Sequence, residues 1–426
     1  MIGDFEVPAR LRLGQDRAFA RYVRTEVAPF SPAYAERLRT PPFDSRADLA
    51  RLPLVRLEEV TDPGELVLRP TGGGIARSPD RRLALRWRWA RVRGRTAAFS
   101  RQVVEPAYKP VHWHAEGIPI GYTAEDLQRL AEIGRTALEM AGLRPDDVLV
   151  GVQPPGPNLA FWQLHLGARR GSVPAMFLGP DVAPDEVARL RPTALAGRGG
   201  DLLRLLESGR TMGFSFAGLR TLLVLGEPLA PARRERLARA GSGAGGSVAV
   251  VAAWAPPGVR ALWSECRDGV DVHTWPAHEL IELVDPETGE AVEPGAAGEV
   301  VWSPLGWKGT VVLRLRTGVM GYLDTSPCVF CGRTTPRLRV EPSLPPFARV
   351  LDEHPDVILW QAELRTFEGA EELIVLITPR VNGHPGRLLR QLDRQLSVTQ
   401  FVVLDRRTLA DRLAATGNVR IIDDRG

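Results

Sequence analysis

From Tyr122 to Ala253 the chain alternates helix-periodic segments with short apolar, β-branched runs, and no other feature constrains its fold as tightly. Ala124 to Ala141, Asn158 to Arg170, Leu203 to Ser208 and Pro231 to Ala240 carry helical spacing. Asp147 to Val152, Val173 to Leu178, Thr221 to Leu225 and Ser247 to Ala253 read as strands. When each strand is followed by a helix before the next strand begins, the strands must pair in parallel and the helices must cover the sheet. An α/β class is therefore expected.

The flanking regions read differently. Residues 1 to about 70 are expected to be helices joined through prolines, with Phe19 to Val23 and Tyr34 to Leu38 at helical spacing. Between Arg81 and Arg101, Leu83, Leu85, Trp87 and Trp89 alternate with Arg82, Arg86 and Arg88, a period of two that favours a half-buried strand, with a surface helix as the alternative. Thr71-Gly72-Gly73-Gly74 reads as a turn. Past Cys266 the runs Glu279 to Val284, Gly298 to Trp302 and Thr310 to Leu315, with the turn Asp285 to Gly289, predict a small antiparallel β-unit. Prolines cluster at Pro336 to Pro346, and a small α+β domain is expected beyond them. The expected division is 1–110, 111–337 and 338–426.

A chain of 426 residues with 44% apolar content can bury a large core in two or three domains. Its 55 basic and 51 acidic residues leave a net charge of +4, too near balance to argue for nucleic acid. The start shows no basic region followed by an apolar run, and the longest apolar run, from Val248 to Trp254 and a little beyond, stops at Pro256-Pro257. Neither a secretory signal nor a membrane span is expected, and the cytoplasm is the expected location.

The three cysteines are too few for a disulfide framework. Cys266 and His273, six residues between them, together with the pair Cys328 and Cys331, have the donor types and spacing of a closed tetrahedral zinc site that would staple the β-unit. His278 rivals His273, and core cysteines with a surface histidine are the alternative.

An ordered set of local motifs covers most of the chain: Gly121-Tyr122-Thr123 before a long helix, Gly142 to Asp147 before a strand, Gly226-Glu227-Pro228-Leu229, Asp285 to Gly289, Gly298-Glu299-Val300, Arg314 to Gly318, and Pro327 to Arg337. In this order they resemble the phenylacetate-CoA ligase branch of the adenylate-forming enzymes. The resemblance implies an adenylate-forming ligase fold: a large N-terminal α/β domain with parallel sheets and a small β-unit, then a small α+β C-terminal domain. It also implies ATP, magnesium and CoA as reactants, a carboxylic acid as substrate, and structural zinc in some members.

Four kinds of help for ATP chemistry are implied, and this chain departs from each. The phosphate loop matches His112 to Pro119, which keeps only Gly117 and the proline, with Glu116 where phosphates would sit. The magnesium-side glutamate is missing from Ala253 to Gly258. The ribose-binding aspartate after Arg-Thr-Gly is replaced by Val319, with Asp324 displaced by several residues. The C-terminal lysine is replaced by Asn418, and no lysine follows Lys308, so Arg420 is the conceivable substitute.

Weaker candidates remain. His112 and His114 share a face if their segment is a strand and offer a polar, catalytic or metal-binding pair, as Arg420 offers a catalytic charge. Phe161, Trp162 and His165 fall where the resemblance places the acyl pocket, although a capped helix packing its aromatics inward explains them equally. Glu227 and Thr317 match nucleotide-side positions. The expected function is a ligase-fold protein with ATP-dependent adenylation lost or strongly altered, retained to bind an acyl or aryl acid or a protein partner. Contact with a protein through the arginine-rich stretch is a further possibility. The alternative is an active carboxylate-CoA ligase or acyltransferase with a non-standard nucleotide site.

Overall fold

The computed structural model describes residues 3–38, 43–153, 156, 158–242, 247–340, 346–367, 370–380, 384–396, 398–415 and 421–424. Strands β1 (His112–Glu116) and β2 (Ile118–Tyr122) form an antiparallel hairpin turned at Gly117, whose φ of 78° suits a residue without a Cβ.

The alternating segment folds into five parallel strands, β3 (Leu149–Val152), β4 (Ala175–Leu178), β5 (Ala194–Gly197), β6 (Thr221–Leu225) and β7 (Ala249–Trp254), in the order β7-β6-β5-β3-β4. Every residue of β3, β5 and β6 is buried, the reason these strands read as continuous apolar runs. Helices Leu159–Arg170, Gly199–Thr211 and Pro231–Gly241 fall between them, and Leu202, Leu205 and Leu237 meet Leu195, Leu222 and Val224 in the core. Asn158 opens the first of these helices by accepting the Phe161 N–H at 2.8 Å.

Strands β8 (Trp263–Ser264), β9 (Val272–His273), β10 (Glu279–Val284), β11 (Gly298–Pro304), β12 (Leu315–Asp324) and β13 (Arg337–Val340) pair antiparallel in the order β10-β11-β12-β13-β9-β8. The strand expected over Thr310 to Leu315 instead begins at Leu315. Arg314 takes a left-handed φ of 56°, which breaks the extended run, and its guanidinium donates to the Leu52 carbonyl at 2.9 Å. The C-terminal strands β14 (Val357–Phe367), β15 (Ala370–Pro379), β16 (Gln400–Val403) and β17 (Ile421–Asp424) order as β16-β15-β14-β17, with helices Pro385–Asp393 and Arg406–Ala415. The whole is an α/β fold with a smaller C-terminal sheet.

The residues gather into two compact units, 1–136 with 256–341 and 137–255 with 342–426. Within the second, helix Gly199–Thr211 approaches the C-terminal sheet so closely that a Cβ on Gly200 would lie 2.6 Å from the Ile358 carbonyl oxygen. Asp201 on that helix is buried and ion-paired to Arg406 at 2.5 Å.

Three further local readings are corrected. Arg81–Val92 is a helix, started by Asp80 accepting the N–H groups of Arg82 and Leu83, and its packed face is Leu83, Ala84, Trp87 and Ala90. Thr71 caps a six-residue helix, Gly72–Arg77, in place of a turn. Its glycines answer to packing, since a Cβ at Gly74 would sit 2.4 Å from the Pro29 carbonyl and one at Gly72 2.5 Å from the Trp87 ring. Tyr34 to Leu38 is a run of turns, after a helix over Pro8–Tyr22 that carries Phe19 and Tyr22 into the core. Among the described residues no helix is long and apolar enough to cross a membrane.

Candidate functional site

The sequence-predicted metal residues converge. Cys266 follows β8, His273 ends β9, and Cys328 and Cys331 lie on the turn between β12 and β13. Their donor atoms all lie within 4.8 Å of one another, with Cys266 Sγ 3.9 Å from Cys328 Sγ and Cys331 Sγ 3.5 Å from His273 Nε2. A tetrahedral zinc with its usual bond lengths requires sulfur–sulfur and sulfur–nitrogen edges of about 3.8 and about 3.6 Å, so the donor set fits. His273 is fully buried, not the surface residue of the alternative reading. Burial, with Arg333 and Arg337 nearby, lowers its pKa to about 4 and keeps the imidazole in the neutral form that a metal requires. Its Nδ1 lies 3.1 Å from Thr335 Oγ1, a contact that fixes the ring. Gly332, at φ 71°, closes the cysteine turn through its N–H to the Cys328 carbonyl. The rival His278 packs against Trp307 instead and is no part of the cluster.

The nucleotide-side candidates are spread over both units. In the first, the Thr317 hydroxyl donates to the Val300 carbonyl at 2.7 Å, and Gly117 sits at the hairpin tip. In the second, Glu227 follows β6 and pairs with Arg233 at 3.5 Å, while Arg233 reaches Asp352 at 3.8 Å. Beside Gly226 and Glu227, Arg198, Arg233, Leu359, Trp360 and Leu413 line a half-open pocket. Arg420, Asn418 and the Glu116 side chain lie outside the described residues.

His112 and His114 share one face of β1, their rings 4.7 Å apart. His114 is 1% exposed, its ring lies 4.5 Å from that of Tyr122, and neither ring nitrogen has a hydrogen-bond partner. Burial, with His112 and Arg260 adding repulsion, lowers its pKa to about 3. Among the described residues the pair gains no third metal donor.

Phe161, Trp162 and His165 do cluster. Phe161 stacks on His165 at 5.8 Å and meets Trp162 edge-on at 5.4 Å. Phe177 completes the group at 5.2 Å from Phe161, and sequence reasoning missed it. The available signal was Gly151 on the neighbouring strand, where a Cβ would stand 2.6 Å from the Phe177 ring. Also missed was Glu279, a fully buried carboxylate that accepts the indole N–H groups of Trp263 at 3.0 Å and Trp302 at 2.6 Å and the Trp275 backbone N–H at 2.6 Å. Three tryptophans within forty residues, each needing an acceptor once buried, were the clue.

No family model matches the chain. A curated relative, phenylacetate-coenzyme A ligase of Thermus thermophilus, is 30% identical over 224 residues, 51% of this chain and 50% of the relative, so the match spans about half of that protein's length. Among solved structures, 2-hydroxyisobutyryl-CoA ligase in the postadenylation state with an acyl-AMP superposes with a TM-score of 0.68 at 18% identity, covering 99% of this chain and 91% of that one. The same ligase with 2-HIB-AMP and CoA in the thioesterification state gives 0.62 at 19% identity over 99% and 91%. The fold is that of the adenylate-forming CoA ligases, and the curated relative carries the name of the branch that the motifs resemble.

Proposed function

We propose that this chain is a ligase-fold protein in which ATP-dependent adenylation has been lost or strongly altered, held in shape by a structural zinc and retained in the cytoplasm to bind an acyl or aryl carboxylic acid or a protein partner. The observation that carries the reading is the state of the Gly226-Glu227 loop. The family resemblance puts a nucleobase beside it, whereas here Glu227 is engaged by Arg233, and Arg198, Leu359 and Trp360 line the same pocket. The substitutions at Val319 and Asn418 and the missing carboxylate after β7 support the same reading. Lys308, the last lysine in the chain, is held by Glu125 at 2.8 Å. The Phe161, Trp162, His165 and Phe177 cluster is the apolar surface best suited to an aryl or acyl group.

The test is isothermal calorimetry with magnesium and ATP, followed by ATP–pyrophosphate exchange over a panel of carboxylic acids. No heat and no exchange are expected. Saturable ATP binding with acid-dependent exchange would replace this reading with an active carboxylate-CoA ligase.

A further inference from the structure

The helix Arg81–Val92 presents two faces of opposite character. Leu83, Ala84, Trp87 and Ala90 face the protein, with Trp87 edge-on to Phe99 at 5.5 Å. On the outer side Leu85, Trp89 and Val92, spaced i, i+4 and i+7, stand 57%, 56% and 83% exposed as one apolar ridge. At 100° per residue this ridge is about 60° wide. Arg82, Arg86 and Arg93 flank it on one side, and Arg81, Arg88 and Arg91 on the other. Among the described residues none of the six pairs with a carboxylate. The guanidinium groups of Arg93 and Arg86 instead lie over the Trp89 and Phe99 rings.

The charge is strongly local. Eight arginines and no acidic residue fall between Arg81 and Val104, a charge of +8 in a chain whose total is +4, so the rest of the sequence carries −4. A helix that packs one face on the protein and exposes an apolar ridge between two rows of arginine is built to lie on a surface that is apolar at depth and anionic at its boundary. Arginine suits that boundary because its fork binds phosphate bidentately while its stem lies along apolar groups. A nucleic-acid backbone offers nothing to Leu85, Trp89 and Val92. A protein groove would need matching shape, whereas equal charge on both sides of the ridge suits a plane.

We propose that the helix Arg81–Val92 docks this protein on the surface of anionic phospholipid membranes, the ridge entering the acyl boundary and the flanking arginines holding lipid phosphates.

Flotation of the full chain with vesicles of phosphatidylcholine and phosphatidylglycerol at 7:3, against pure phosphatidylcholine, tests the proposal. Binding is expected to the anionic vesicles only, and to weaken as salt rises. Replacing Arg82, Arg86, Arg88 and Arg91 by Gln should lower partition about five-fold per residue, and Lys at the same positions should largely restore it. L85S/W89S should also lose vesicle binding, with circular dichroism and Tm unchanged because these side chains are exposed. Equal partition to neutral and anionic vesicles would overturn the proposal, as would binding indifferent to L85S/W89S. Retention on duplex DNA or an acidic polypeptide without vesicle binding would overturn it too and assign the helix to another polyanion.

Discussion

Cys331 Sγ lies 3.5 Å from His273 Nε2 across 58 residues of chain, and Cys266 and Cys328 meet at 3.9 Å beside them. Without a cation, three thiols at these distances repel one another as soon as any two ionise, whereas a divalent ion turns the same geometry into four bonds. Protein purified without added metal should contain about one zinc per chain by elemental analysis. Cys331→Ser, or exhaustive chelation, should lower Tm by on the order of 10 °C, because β8, β9 and the β12–β13 turn lose their common anchor. A metal-free protein with an unchanged Tm would remove zinc from the account.

The Glu279 carboxyl is raised to about 6 by burial, which outweighs the donors from Trp275, Trp302 and Trp263 that favour its ionised form. A raised native pKa means that the folded state holds the proton more tightly than the unfolded one. Its contribution to stability is therefore complete below about 4.5 and is lost as pH rises through 6. Urea denaturation at pH 4.5, 5.5 and 6.5 should show the wild type losing about 1.5 kcal/mol relative to Glu279→Gln across that interval. Parallel curves for the two proteins would contradict the assignment.

The parallel sheet and the cluster of Cys266, His273, Cys328 and Cys331 were legible because each depends on local spacing. Buried strands leave unbroken apolar runs, and Cys328 with Cys331 forms a recognisable knuckle. The arginine-rich stretch was misread because Leu83, Leu85, Trp87 and Trp89 satisfy a period of two, while the Asp80 cap and the small inner residue Ala84 that mark the helix are weaker signals. The strand start at Leu315 was hidden by a single left-handed residue, Arg314. Neither the pairing of Asp201 with Arg406 nor the approach of Leu359 and Trp360 to the Gly226 pocket leaves any local trace, since each joins segments more than 130 residues apart.

That Asp201–Arg406 pair makes a prediction of its own. Asp201 is almost wholly buried, and desolvation raises its pKa to about 6 against the opposing charges of Arg198 and Arg204. Arg406→Met removes this ion pair but leaves the charges of Arg198 and Arg204 beside the carboxylate, so it should cost about 1–3 kcal/mol. Removing the carboxylate as well, in D201L/R406M, should recover only part of that loss, because Arg198 and Arg204 lose their acidic neighbour and Asp181 its arginine. Chemical denaturation of the two single variants and the double variant tests this, and additive losses would show that the two side chains do not act as a pair.

His114 carries the opposite linkage. Its pKa is lowered to about 3, so the native state excludes a proton that the unfolded chain accepts near 6.5. Stability is therefore full above about 6.5 and falls as pH drops towards 3, reaching a loss of about 2 kcal/mol at pH 5. His114→Phe removes that dependence and two buried nitrogens without hydrogen-bond partners, so it should match the wild type or exceed it by about 1–3 kcal/mol at pH 7 and exceed it further at pH 5. Measuring Tm at both pH values separates a packed imidazole from one held for binding. A variant destabilised at pH 7 would mean that His114 makes a polar contact on which the hairpin depends.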